Sequence, residues 1–498
     1  MTRDQSAEGG IFGRVVMSDA PRHITTHALA RLLGDWREGA GPLYVRLCRR
    51  LGQLLADGRV APGVRLPAER RLALELGVSR TTVIRTFAML REQGMLDSRR
   101  GAGSVTQLSS PSVERFVPWT GAGRLEGAAT SMIDLTQAAP AADGRVIMAL
   151  QDAASQASAL LGHLGYLPLG LRSLRAAVAA RYELRGVQTT AEQILITGGA
   201  QQAIDLLART LVRNRETVVV ESPTYAGAMD SFRLAGARMV SADISTAPWQ
   251  LEELEALFVQ TRARLAYLMP DFQNPTGRLM TDERREELVL LCRRHSVTLI
   301  VDETLAELAL EAAPRPRPVA VHDALDGVLS VGALSKAVWA GLRVGWIRAS
   351  PRQIAAIAAT RTAADLGGAP IEQIAAAELL AALDEHLDAR RPDLLRQRDT
   401  VATAVELLGW RLEVPGGGLS AWVQLPDASS SLLADIAYRH GVMLIPGPRL
   451  SPDGALDRYL RLPYSLPAET IAVALDRVAL AWNDLQHIHG AEHVLQIV

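Results

Sequence analysis

The sequence predicts an α/β protein in two parts. A small, basic, mostly helical unit comes first. A large body follows, built on a mostly parallel sheet and closed by a smaller α+β domain. Three observations predict this. From about residue 132, short apolar runs (193–197, 217–220, 265–269, 298–301 and 328–331) alternate with amphipathic stretches (200–213, 251–262 and 281–295), the pattern of strand–helix–strand units. The formal net charge is only −1, yet Leu43 to Val105 carries twelve Arg against five Asp and Glu, a block that favours nucleic acid over a membrane. A chain of 498 residues with 48% hydrophobic content is long enough for more than one core.

In chain order, residues 1–22 read as a mobile tail and 23–106 as the compact basic unit. Residues 107–131, beginning Gln-Leu-Ser-Ser-Pro-Ser, read as a linker, 132–390 as the large domain and 391–498 as the small one. Cys48 and Cys292 are too few and too far apart for a disulfide framework or a cysteine zinc site. His487, His489 and His493 lack other ligand types beside them and read as solvated, so no metal is expected. The start, Met-Thr-Arg-Asp-Gln-Ser, has no apolar stretch of a signal peptide, and no run of about 18 apolar residues occurs. The expectation is a cytoplasmic protein with no membrane partner.

Within the basic unit, Pro67 can open a helix whose apolar face is Leu72, Ala73 and Leu76 and which Gly77 ends. Ser79 is a natural cap for the next helix. There Val83, Phe87 and Leu90 face inward, leaving Arg80, Thr81, Thr82 and Arg85 outward near the N-terminal end that a recognition helix presents to DNA. Gly94 closes it. Met95 to Val105 then reads as two strands around Arg99-Arg100-Gly101-Ala102-Gly103, a basic wing. The whole stretch resembles the winged helix-turn-helix of GntR-type repressors, through Pro42-Leu43-Tyr44, Leu66-Pro67, Glu69-Arg70, Leu72-Ala73, Leu76-Gly77-Val78-Ser79-Arg80, Thr82-Val83, Leu90, Gly94 and Gly101-Ala102-Gly103. That resemblance implies double-stranded DNA as partner, with Arg70, Ser79, Arg80, Thr81, Thr82, Arg85, Arg99, Arg100 and Gly101 at the contact.

The body holds the one lysine among 53 basic residues, Lys336. Arginine stays protonated, whereas a lysine amine can lose its proton and attack a carbonyl. Its retention suggests a Schiff-base lysine for an aldehyde cofactor. Such a cofactor needs a phosphate site, a carboxylate near its ring nitrogen, a flat surface and a donor to its ring oxygen. Each has a candidate after an apolar run: Thr197-Gly198-Gly199-Ala200-Gln201, Tyr225 in Glu221-Ser222-Pro223-Thr224-Tyr225, Asn274 in Pro270 to Gly277, Asp302, and Arg343 seven residues beyond Lys336.

The ordered series resembles fold type I pyridoxal-phosphate enzymes of the aspartate aminotransferase class. It implies pyridoxal 5'-phosphate, with Lys336 as Schiff-base residue, Asp302 at the ring nitrogen, Asn274 at the ring oxygen and Tyr225 stacked on the ring. Gly199, Ala200, Gln201, Ser335 and Arg343 are the implied phosphate site. Tyr166 is implied to reach the phosphate of a partner subunit, and Arg461 to fork onto an effector's carboxylate. Three places depart from the pattern: Thr304 and Leu305 stand where a tyrosine is usual, Ala333 where a phosphate-binding serine is, and Ala340 where a proline is. These departures weigh against efficient turnover.

A GntR-type reader followed by an aminotransferase-like body resembles MocR-type regulators. The expectation is a pyridoxal-phosphate-binding transcription regulator, a head-to-tail homodimer that senses an amino compound or pyridoxal phosphate. The alternatives are an active aminotransferase carrying a DNA-binding domain, and a body that only dimerises.

Overall fold

The computed structural model describes residues 22–34, 36–37, 42–56, 60, 64–92, 95–99, 103–106, 132–160, 162–213, 215–311 and 315–494. The expected tail up to residue 21 and the expected linker 107–131 lie outside them. The chain divides into two compact units, Met1–Gly121 with Glu492–Val498, and Ala122–Ala491.

The first unit runs β1 (Arg22–His23), α1 (Thr26–Leu33), α2 (Leu43–Ala56), β2 (Val64–Arg65), α3 (Glu69–Glu75), α4 (Arg80–Glu92), β3 (Leu96–Arg99) and β4 (Gly103–Thr106). Leu29 and Leu33 of α1, Leu47, Leu51 and Leu54 of α2, Leu72 of α3, and Val83, Phe87 and Leu90 of α4 are buried in one cluster. Burying each such side chain is worth roughly 1.5–3 kcal/mol. The helix α3 starts at Glu69, two residues after Pro67. The delay has a cause: Leu66 N–H donates to the carbonyl of Ser104, so the chain stays extended beside β4. Gly77 makes the turn into α4 with φ 58°, a left-handed conformation that glycine adopts without penalty. The strands β3 and β4 form the antiparallel wing, with Arg99 opposite Gly103.

The second unit centres on a seven-stranded sheet in the order β6-β12-β11-β10-β9-β7-β8. These strands are β6 (Ile194–Thr197), β7 (Thr217–Ser222), β8 (Arg238–Asp243), β9 (Leu265–Leu268), β10 (Thr298–Asp302), β11 (Val328–Ala333) and β12 (Gly345–Arg348). Only β12 runs antiparallel, to β11 and to β6. Alternate residues serve opposite faces: Leu195, Val218, Val220, Ile300 and Leu329 join one buried cluster, and Ile196, Val219, Leu299, Val301 and Val328 the other.

Nearer the C-terminus, β13 (Arg411–Leu412), β14 (Ser420–Gln424), β16 (Ile445–Pro446) and β17 (Tyr459–Pro463) form an antiparallel sheet ordered β13-β14-β17-β16. Two features cross the boundary expected at residue 390. A helix, Leu383–Leu407, runs through it. The early strand β5 (Ile133–Asp134) pairs with β15 (Val442–Met443), so the start of the body belongs beside its end.

Candidate functional site

The parallel strands β6, β7, β9, β10 and β11 bring their C-terminal ends to one edge of the large sheet. That edge is where open α/β sheets take ligands. Each of the residues that follow these strands is carried there by the strand before it.

After β6, Gly198 and Gly199 lead into the helix Ala200–Leu211, whose cap, Gly199, has φ 103° and no side chain to satisfy the first-turn N–H groups. A methyl group on Gly199 would stand 2.7 Å from Arg343 Nη2, and one on Gly345 would stand 2.6 Å from the Gly199 carbonyl carbon. The result is a narrow cradle of backbone N–H groups at a helix N-terminus, suited to phosphate. Arg343 itself adopts a left-handed φ of 53°, and its Nη2 donates to the carbonyl of Gly198 at 2.5 Å. The side-chain amide of Gln201 is already occupied, its Nε2 donating to the Gly227 carbonyl at 2.9 Å and to Ser231 Oγ at 3.0 Å, which leaves only its backbone N–H to such a cradle. Ser335 is half-buried in the short helix Leu334–Ala337 that follows β11.

Lys336 sits in that same short helix. Its Nζ donates to the carbonyl of Ala138 at 2.7 Å. Burial lowers its pKa to about 8; Arg461 and Arg343 push the same way, and Asp302 opposes them. The amine is therefore partly neutral near physiological pH, as a nucleophilic lysine needs to be.

Asp302 ends β10 in a buried position. Its Oδ2 accepts from Tyr267 at 2.6 Å, and its Oδ1 from the Thr304 hydroxyl at 2.6 Å and the Thr304 N–H at 3.0 Å. Burial raises its pKa, while these bonds and Lys336 hold it down. Tyr225 precedes the helix Ala226–Leu234, and burial together with Asp302 raises its pKa, against Arg461 and Arg343. Lys336, Asp302, Tyr225, Arg343 and Arg461 thus share one electrostatic neighbourhood.

Arg461, on β17, is buried. Its Nη2 donates to the carbonyl of Thr136, and its Nη1 to Asn274 Oδ1 at 3.4 Å. That bond uses the oxygen of Asn274 and leaves its amide hydrogens for an acceptor. The Nε of Arg461 has no acceptor among the described residues, and burial lowers the pKa of its guanidinium to about 10. A buried guanidinium with an idle N–H is suited to a carboxylate.

Reading by spacing alone missed Tyr267, Thr304 as a partner of Asp302, the Ala138 carbonyl and Gly345. Tyr267 pairs with Ile300, two residues before Asp302, so both point to one face, a register that only the folded sheet sets. Tyr166 stands 65% exposed. Leu305 is buried, and a methyl group on Gly418 would lie 3.9 Å from its Cδ1. A leucine there supplies no hydroxyl.

In the first unit, Arg70, Ser79, Arg80, Thr81 and Arg85 are exposed on α3, α4 and the turn between them. Thr82 is half-buried and occupied: its N–H donates to Ser79 Oγ at 3.1 Å, and the two hydroxyls lie 2.8 Å apart. Arg80 lies 3.8 Å from Glu69. The Arg85 guanidinium lies over the Tyr44 ring, 5.4 Å from its centroid. Arg99 belongs to β3; Gly94, Arg100 and Gly101 lie outside the described residues.

Residues 130–478 match the class I and II aminotransferase family, and residues 43–105 the gntR family of bacterial regulatory proteins. The chain belongs to the class I and II aminotransferase family and carries a gntR-type DNA-binding unit ahead of that body. It is 30% identical to YisV of Bacillus subtilis, named an uncharacterized HTH-type transcriptional regulator, over 78% of this chain and 86% of that one. It is 27% identical to YdcR of Escherichia coli, named likewise, over 84% and 94%. Among solved structures it resembles LysN, the α-aminoadipate aminotransferase of Thermus thermophilus, complexed with N-(5'-phosphopyridoxyl)-L-leucine. The TM-score there is 0.66 at 28% identity, covering 74% of this chain and 97% of that chain. Both parts together, in this order, make the protein a MocR-type transcription regulator. The glycine cradle, the buried Asp302 and the partly neutral Lys336 fit pyridoxal phosphate, the cofactor of that body. Among the described residues no helix is long and apolar enough to cross a membrane.

Proposed function

We propose that the body of this regulator senses a carboxylate-bearing amino compound, and that occupancy changes how the gntR-type unit binds DNA. The observation that carries this reading is the pairing of Lys336 with Arg461: an amine lowered to about pKa 8 beside a buried guanidinium whose Nε is idle. When bound, pyridoxal phosphate supplies an aldehyde that reacts reversibly with a primary amine. Gly199, Ala200 and the backbone of Gln201, with Ser335 and Arg343, would hold the phosphate. Asp302, kept in orientation by Tyr267 and Thr304, would pair with the ring nitrogen, whose proton would offer the countercharge that burial denies this carboxylate. Tyr225 would offer the flat surface for the ring, and Asn274 would donate to the ring oxygen. Arg461 holds the carboxylate of the effector.

Leu305 favours sensing over turnover. A tyrosine there would add a hydroxyl to the polar groups around Lys336; the buried leucine adds none. Exposed Tyr166 suits a residue that completes the phosphate site of a second copy, and the assembly proposed is a head-to-tail homodimer. The effector can alter DNA affinity only by binding one conformation better than another.

The test uses the full chain loaded with pyridoxal phosphate. Its absorption spectrum and its affinity for upstream DNA are followed while amino acids, and separately pyridoxal phosphate, are added. A spectral change that tracks a change in DNA affinity is expected with an amino acid. Spectral change with unaltered DNA affinity overturns sensing. Steady turnover with an amino donor and a keto acid, at ordinary enzyme rates, would favour the aminotransferase alternative.

A further inference from the structure

On the exposed side of α4, one residue fits neither the core nor the polar surface. Ile84 is 38% exposed and belongs to no part of the first unit's buried cluster or of the side chains packed against it. The inward positions of α4 are taken by Val83, Thr86, Phe87 and Leu90, at 0%, 0%, 1% and 0% exposure. Outward, Arg80, Thr81 and Arg85 flank Ile84. It sits one turn beyond Arg80, in the N-terminal half of the helix, where a recognition helix meets base edges. A β-branched side chain is a poor helix former, so local structure gives no reason for it here.

The two flanking arginines have partners that steady them. Arg80 lies 3.8 Å from Glu69, and Arg85 lies against the ring of Tyr44, whose carbonyl accepts from Thr86 at 3.0 Å. Two cations astride an apolar side chain match a DNA groove, with phosphates at its rims and an apolar group on its floor. In the major groove that group is the C5 methyl of thymine, the one base feature there that hydrogen-bonding side chains do not read.

We propose that Ile84 is a specificity-determining residue that packs on a thymine methyl in the major groove. The proposal rests on the assignment of α4 as the DNA-reading helix and names the base chemistry that it reads. Arg80 and Arg85 then supply position through phosphate or guanine contacts, and Ile84 supplies preference at one place in each half-site.

The test begins with duplexes selected from a random pool by the full chain. In the selected duplex each thymine is replaced in turn by deoxyuridine, which removes only the methyl group. Binding is measured at fixed salt for the unaltered protein, Ile84→Val and Ile84→Ala. Burying one methyl is worth about a fourfold change in affinity. The unaltered protein should lose about that factor at one thymine per half-site. Ile84→Val should keep part of the discrimination, and Ile84→Ala should bind thymine and uracil duplexes equally. Because Ile84 is outside the core, both variants should keep the melting temperature of the parent. If no deoxyuridine position matters, or if Ile84→Ala keeps the same discrimination, the proposal is overturned while the reader remains. If the chain selects no duplex at all, the reader assignment itself falls, and this proposal with it.

Discussion

In the proposed function the body's chemistry turns on Lys336, and the environment of this residue sets a pH range. Only the neutral amine attacks an aldehyde, and its pKa is lowered to about 8. Below that value the amine is protonated and unreactive; above it the reactive form dominates. The rate at which cofactor-free protein takes up pyridoxal phosphate should therefore rise through about pH 8 and then level, followed by absorbance. An inflection near the ordinary lysine value of 10.5 would contradict the buried, arginine-flanked setting. Lys336→Ala should abolish the cofactor's covalent absorbance, and its persistence would remove the central assignment. Arg461→Gln should weaken a carboxylate-bearing effector by about 10- to 100-fold, the worth of a charged hydrogen-bonding partner, as read by spectral titration. An amine lacking a carboxylate should be unaffected by that change.

At the scale of elements, the approach of β12 to the turn after β6 shapes the proposed phosphate cradle. Gly345→Ala would push a methyl group to within 2.6 Å of the Gly199 carbonyl carbon and 2.8 Å of Ala200 N, backbone atoms that cannot swing away. Overpacking of this kind costs about 1–3 kcal/mol. The expected outcome is weaker pyridoxal-phosphate binding and a lower melting temperature; unchanged cofactor affinity would argue that the cradle lies elsewhere. This contact was not legible in the sequence. Apolar runs revealed β6, β7, β9, β10 and β11, because buried parallel strands read as continuous hydrophobic stretches. They did not reveal β12, four residues with a tryptophan and an arginine (Gly345–Arg348), nor that it would insert antiparallel between β6 and β11. Gly199, Tyr225, Asn274, Asp302 and Lys336 stood out because each lies at or just beyond the end of such a run, whereas Tyr166 and Arg461, the latter on β17, were named only through the resemblance. Tyr267, Gly345 and the Ala138 carbonyl were not legible, because their roles depend on register between strands and on a segment that pairs far along the chain. The α3–α4 pair was readable almost throughout, since its apolar spacing, turn glycine and cap are local. Only its start was misjudged, where Leu66 binds β4.

For the whole molecule, a gntR-type unit with twelve Arg between Leu43 and Val105 should bind DNA with strong dependence on salt. A protein making about 6–10 phosphate contacts loses roughly 10³–10⁵ in affinity between 50 and 200 mM salt. A flat response would argue that the arginines serve the fold and not the phosphates. The solitary lysine has a further use at this scale. A reagent that modifies amines meets one ε-amine in the entire chain besides the terminal α-amine, so mass spectrometry of the Lys336 peptide before and after labelling counts how many of the proposed sensing sites stand open. In the purified protein that single group ties the label to one place, where a chain with scattered lysines would give only an average of its surface.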